Sequence, residues 1–151
     1  MKHIVESFNI DHTKVRAPFI RLADEVVSPK GDMVTKLDVR FTQPNKEFMD
    51  MAAMHTLEHL LATFLREGEY KIIDFSPMGC QTGFYLTMFG KFNKKALAGF
   101  KDFFEGCVKK VLTRKTVPGA KVKECGNYKN HSLPAAKKFA KKFLDGKPGI
   151  L

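Results

Sequence analysis

The residues best equipped for chemistry in this 151-residue chain lie in Met54-His55-Thr56-Leu57-Glu58-His59-Leu60. On an α-helix, side chains four apart stand one above the other. His55 and His59 can therefore close on one ion, with the Glu58 carboxylate projecting beside it. The pattern H-x-x-E-H is the inverted form of the zinc-protease motif, in which the glutamate acts as general base. Two imidazoles leave a coordination sphere incomplete, so at least one further donor must come from elsewhere. Histidines at this spacing also arise by chance, yet burying two uncoordinated imidazoles on so apolar a helix is costly.

The three cysteines differ in setting. Cys107 falls in an apolar helical stripe and reads as a small buried hydrophobe. Cys80, in Met78-Gly79-Cys80-Gln81-Thr82-Gly83, and Cys125, in Glu124-Cys125-Gly126-Asn127, each adjoin glycine in turn-like sequence. Such backbone lets sulfur approach an ion or a substrate closely. Either can be the third ligand and the other a reactive thiol near the metal; spacing does not choose between them. Lys36, Asp38 and Arg40 project from one side of an alternating segment. They form either a solvated face of mixed charge or the wall of a pocket for an amino acid's carboxylate and ammonium groups.

These groups need elements to hold them. Residues 17–27 are rich in Phe19, Ile20, Leu22, Val26 and Val27 and run into a Pro29-Lys30-Gly31-Asp32 turn. The next stretch alternates Met33, Thr35, Leu37, Val39 and Phe41 with Val34, Lys36, Asp38 and Arg40, the period of a strand paired in a hairpin with its predecessor. Extended sequence resumes at Tyr70, breaks at Pro77-Met78-Gly79 and continues from Gly83 to Phe89. A helix capped at Asn45 and ending by Gly68 carries the metal motif above a stripe of Met54, Leu57, Leu61, Phe64 and Leu65. A second covers 94–112, and a third places Ala136, Phe139, Ala140, Phe143 and Leu144 on its apolar face. The pattern predicts a single α+β domain over 1–151, with a mostly antiparallel four-stranded sheet and helices packed on one face.

Composition bounds the rest. Hydrophobic residues at 44% are enough for a core, and no apolar run approaches the ~20 residues that cross a bilayer. The start, MKHIVESFNI, lacks the apolar stretch of a secretory signal. An odd number of well-spaced cysteines fits reduced thiols in a cytoplasm. Lys and Arg total 26 against 16 acids, a formal charge of +10. Most of the excess is lysine in pairs such as Lys137-Lys138 and Lys141-Lys142 on the outer face of an amphipathic helix. We therefore read a solvated surface and expect neither a nucleic-acid nor a membrane partner.

Taken together, the motifs resemble the S-ribosylhomocysteine lyase (LuxS) family. The likeness runs through Ser7-Phe8, Asp11-His12-Thr13, Gly31-Asp32, Asp38-Val39-Arg40-Phe41 and Gln43-Pro44-Asn45. It continues through the His55–His59 motif, the run from Asp74 to Tyr85, and Glu124-Cys125-Gly126-Asn127 with His131-Ser132-Leu133. The loop around Glu67-Gly68-Glu69 is shorter, and the chain more basic, than the resemblance leads one to expect.

The resemblance implies that His55, His59 and Cys125 hold a divalent metal, Fe(II) or in its place zinc or cobalt, without an organic cofactor. It assigns proton transfer to Cys80 and Glu58, and substrate binding at a homodimer interface to Ser7, His12, Arg40, Asp74 and the Gly126 backbone. The implied reaction cleaves S-ribosylhomocysteine to homocysteine and 4,5-dihydroxy-2,3-pentanedione, precursor of a bacterial signalling molecule. The sugar carbonyl migrates until β-elimination can expel the sulfur. Two alternatives stand beside it: a small H-x-x-E-H zinc metallopeptidase, and a basic binding module with a structural metal.

Overall fold

The strand over 33–40 owes its central place to its alternation. In the computed structural model, which describes residues 3–151, β1 (Phe19–Val27) and β2 (Met33–Arg40) form the expected antiparallel hairpin. β3 (Ile72–Pro77) and β4 (Gly83–Phe89) form a second, and β4 pairs antiparallel with β2. The order is β3-β4-β2-β1-β5, where β5 is the two-residue strand Gly149–Ile150 running parallel to β1. Four strands were expected. The fifth is too short to carry an alternation and follows Pro148, so local sequence does not announce it.

Ile20, Leu37, Val39, Phe84, Leu86 and Phe75 share the face that meets the helices. These are α1 (Met51–Leu65), α2 (Lys94–Thr113) and α3 (Leu133–Asp145). α1 lays Met54, Leu57, Leu61, Phe64 and Leu65 into the core, and α2 and α3 bring Phe100, Phe104 and Phe143. Phe41 stacks on Phe143, with ring centroids 4.4 Å apart, and meets Phe104 edge-on. The helix-on-one-face arrangement is thus as expected.

One boundary differs. α1 is capped by Asp50, whose side chain accepts from the Ala53 N–H at 2.9 Å, and not by Asn45. Asn45 sits at φ 60° in a tight turn where the Lys46 and Glu47 N–H groups both donate to the Gln43 carbonyl. Both residue types cap well, but only Asp50 is followed at once by the continuous apolar run of α1. α2 and α3 are capped in the same way by Asn93 and Ser132.

The opposite sheet face, with Phe19, Arg21, Asp38 and Arg40, is also buried over part of its area. Gly83 lets β4 come this close to β2: a Cβ there would lie 2.3 Å from the Val39 carbonyl oxygen.

Candidate active site

Two groups of functional side chains emerge, with no residue common to both. The first is built on α1. His55 and His59 meet edge-on, with ring centroids 4.6 Å apart and planes at 86°. The irregular segment between α2 and α3 wraps their outer edges. Its carbonyls accept from both rings, Asn130 O from His55 Nδ1 at 2.9 Å and Pro118 O from His59 Nδ1 at 2.8 Å. A carbonyl only accepts, so each Nδ1 carries the proton and each Nε2 carries a lone pair, the tautomer a metal needs. The same segment brings the Cys125 sulfur to 3.3 Å from His55 Nε2. Gly119, at φ +68°, makes this wrapping fit, because a Cβ there would stand 3.3 Å from His59 Nδ1.

His131, placed by sequence just before the α3 cap, joins this group. Donor atoms of His55, His59, Cys125 and His131 all lie within 4.8 Å of one another, so the group can hold a metal ion. The Thr56 hydroxyl gives its proton to Ala52 O at 2.7 Å and accepts from the Ser132 N–H at 2.9 Å. With that proton committed, His131 Nδ1, 3.3 Å away, is the donor to Thr56. His131 Nε2 is then left with a lone pair, buried and without a partner. Burial, then the neighbouring His55 and His59, hold the His131 imidazolium below its usual range. No role for His131 was expected from the sequence; the one signal available was its place six residues after Cys125.

Glu58 stands half-buried on the same helix. Burial pushes its carboxyl upward, the adjacent histidines pull it down, and the Asp74 charge from β3 raises it again. Asp74 is exposed and takes a hydrogen bond from the Ser76 hydroxyl. Gly126 is exposed beside Cys125, with open space where a Cβ would be.

The second group surrounds Cys80. Two adjoining cavities of ≈ 240 and ≈ 300 Å³ share His12, Arg40 and Cys80 in their walls, and Ser7 lines the smaller. Cys80 is exposed at the β3–β4 turn, 3.1 Å from the Thr82 hydroxyl and 4.0 Å from Arg40 Nη1. None of the four donors of the first group lines either cavity.

On the charged face of β2, Asp38 and Arg40 are buried rather than solvated, and only Arg40 of the three lines the Cys80 cavities. Asp38 is fully buried and neither meets solvent nor has room for a substrate ammonium group. Its carboxylate accepts from Arg40 Nε at 3.1 Å and Nη2 at 2.7 Å, and faces Arg21 Nη2 at 3.4 Å. Arg40, 1% exposed, turns its remaining nitrogen Nη1 to Thr82 Oγ1 at 2.8 Å. Lys36 lies over the Tyr85 ring at 4.0 Å.

With the site described, comparison with known proteins decides its class. The sequence profile of S-Ribosylhomocysteinase (LuxS) matches residues 5–149. The chain belongs to the LuxS family. Among relatives, an S-ribosylhomocysteine lyase of Clostridium perfringens (strain ATCC 13124) is 51% identical over 93% of this chain and 91% of its own length. One from Clostridioides difficile (strain 630) is 52% identical over the same shares. One from Helicobacter pylori (strain J99) is 47% identical over 96% of this chain and 93% of its own. These matches do not favour the metallopeptidase alternative. Among the described residues, no helix is long and apolar enough to cross a membrane.

Proposed function

We propose that the protein is a metal-dependent carbon–sulfur lyase that cleaves S-ribosylhomocysteine to homocysteine and 4,5-dihydroxy-2,3-pentanedione, in a site completed by two copies of the chain. The observation that carries this is the convergence of His55, His59 and Cys125 on one point, in a chain about half identical to lyases along nearly its whole length.

The proposed ligands are His55, His59 and Cys125. Near-perpendicular imidazoles whose Nε2 atoms carry lone pairs, with a sulfur 3.3 Å from that of His55, would suit a metal ion. The His131 ring stacks on His55 with centroids 4.0 Å apart and planes only 23° from parallel. On the family resemblance we take His55, His59 and Cys125 as the three that would hold the ion, with His131 stacked beside them. A His₂Cys set suits several borderline ions; we take Fe(II) on the family resemblance, with zinc or cobalt able to replace it. A bound ion supplies Lewis-acid polarisation of a sugar oxygen.

The protein's own groups do the rest. Cys80 takes and returns the carbon-bound protons as the carbonyl migrates along the sugar. Glu58, its carboxyl raised by burial, passes protons among the hydroxyls and assists the β-elimination. Arg40 and Ser7 with His12 hold one end of the substrate, and Asp74 with the Gly126 backbone holds the other.

Because the Cys80 cavities share no lining residue with the α1 donor cluster, we propose a homodimer in which each Cys80 half-site faces the metal half-site of the partner. Support comes from exposed apolar side chains at both. Phe8 and Phe48 edge the Cys80 cavities, and Met51 lies one helical turn before His55. A twofold axis brings one such patch against its copy and joins both pairs of half-sites at once. Three free thiols support a cytoplasmic setting.

The test is anaerobic purification with metal analysis and a free-thiol assay for homocysteine released from S-ribosylhomocysteine. Cys125→Ser should lower the metal content, while Cys80→Ala should keep the metal and lose turnover. Mixing Cys80→Ala with Glu58→Ala subunits should restore activity through heterodimers, each with one intact site. Turnover by Cys80→Ala alone, or no rescue on verified subunit exchange, refutes the corresponding part.

A further inference from the structure

Ser7 sits in a single 3-10 turn, Glu6–Phe8, with no buried residue to anchor it. Such a turn needs some other attachment to present a side chain reproducibly. The attachment is electrostatic. Arg21 Nη1 and Nη2 reach Glu6 Oε1 and Oε2 at 2.5 and 3.1 Å, a two-pronged guanidinium–carboxylate pair. Arg21 stands directly opposite Asp38 in the β1–β2 ladder, and its Nη2 lies 3.4 Å from that buried carboxylate. Asp38 in turn grips Arg40 by Nε and Nη2. Four charges of alternating sign thus run from the N-terminal turn through the sheet to the floor of the Cys80 cavity.

We propose that Arg21 and Glu6 are positioning residues of the substrate site: their pair fastens the Ser7 turn to the same Asp38 that orients Arg40, setting the two walls of the cavity relative to each other. The inference rests on the proposed reading that Ser7, His12 and Arg40 contact substrate. It assigns neither residue to the chemistry. Glu6 and Arg21 are partly accessible, so their attraction is felt by solvent and salt, unlike the Asp38–Arg40 contact, which is sealed.

The test uses the full-length, metal-loaded enzyme with Glu6→Gln and Arg21→Lys. The glutamine removes the charge; the lysine keeps it but lacks the planar fork that spans Glu6 and Asp38. Each should raise KM about threefold to tenfold, with kcat within about twofold and metal content unchanged. KM of the wild type should rise with salt, and that of Glu6→Gln should not. Amide exchange should accelerate at Phe8 and Asn9, whose N–H groups donate to Val5 O and Glu6 O within the turn. Unchanged exchange overturns the fastening, and lost protection with an unchanged KM overturns the positioning role. Ser7→Ala and His12→Ala in the same assay separate the two levels. If they raise KM and Glu6→Gln does not, this inference alone fails. If neither raises KM, the underlying reading of the substrate site fails too.

Discussion

Gly119→Ala tests whether the segment between α2 and α3 sets the metal site or merely covers it. The backbone at Gly119 is left-handed, and the new methyl would meet His59 Nδ1 at 3.3 Å and Cε1 at 3.5 Å. A non-glycine residue in that conformation costs roughly 1–2 kcal/mol, a direct loss of stability in the metal-free protein. The methyl also presses on a ring fixed by the neighbouring Pro118 carbonyl at 2.8 Å. Relief requires the ring or the carbonyl to move by a few tenths of an ångström, which weakens that hydrogen bond and turns Nε2 off line. Disturbing an outer partner of a metal-binding histidine typically lowers affinity ~10–100-fold, or about 1.4–2.7 kcal/mol. Anaerobic titration of Co(II) against a competing chromophoric chelator measures this without any assay of turnover. Gly99→Ala is the control, since its Cβ has nothing within 4 Å. Affinity of Gly119→Ala within about twofold of wild type, beside a large loss in His59→Ala, would refute the claim that this turn aims the ring.

Other outcomes follow from the same contacts. Gly99→Ala, exposed in the interior of α2 with room for the methyl, should stabilise the protein by ~0.8–1 kcal/mol in a denaturant titration. Asp38→Asn should cost about 3–5 kcal/mol in the same measurement, because Arg40 is left charged and sealed with neutral partners only; a loss under 1 kcal/mol would mean that water reaches the pair. Burial pushes the Cys107 thiol up to about 11, so in metal-free folded protein near pH 8 it should stay unreacted with a thiol reagent while Cys80 and Cys125 are modified. Denaturant should release the third equivalent.

What could be read from the chain and what could not divides along one physical line. Periodicity is local, so the alternation over 33–41 and the stripes of α1, α2 and α3 marked the core face and the layer order. The i, i+4 histidines were legible for the same reason, as one helical turn fixes their relation whatever surrounds them. Asn45 and Asp50 are equally plausible caps, and only the tight turn at Gln43 decides between them. Alternation shows which residues share a face but not what covers it. Asp38 and Arg40 alternate as a solvated face would, yet they are buried, with Arg21 from β1 against Asp38 and with Phe19 and Thr82 against Arg40. Cover of that kind depends on segments far apart in sequence. So does the choice of Cys125 over Cys80 as the sulfur near His55, which turns on carbonyls at 118 and 130 gripping two rings. The proposed completion of the site by a second copy is the extreme case, because its last neighbours then lie in no local pattern at all. Mixed dimers of Cys80→Ala and Glu58→Ala subunits therefore probe the step that neither one sequence nor one folded chain contains.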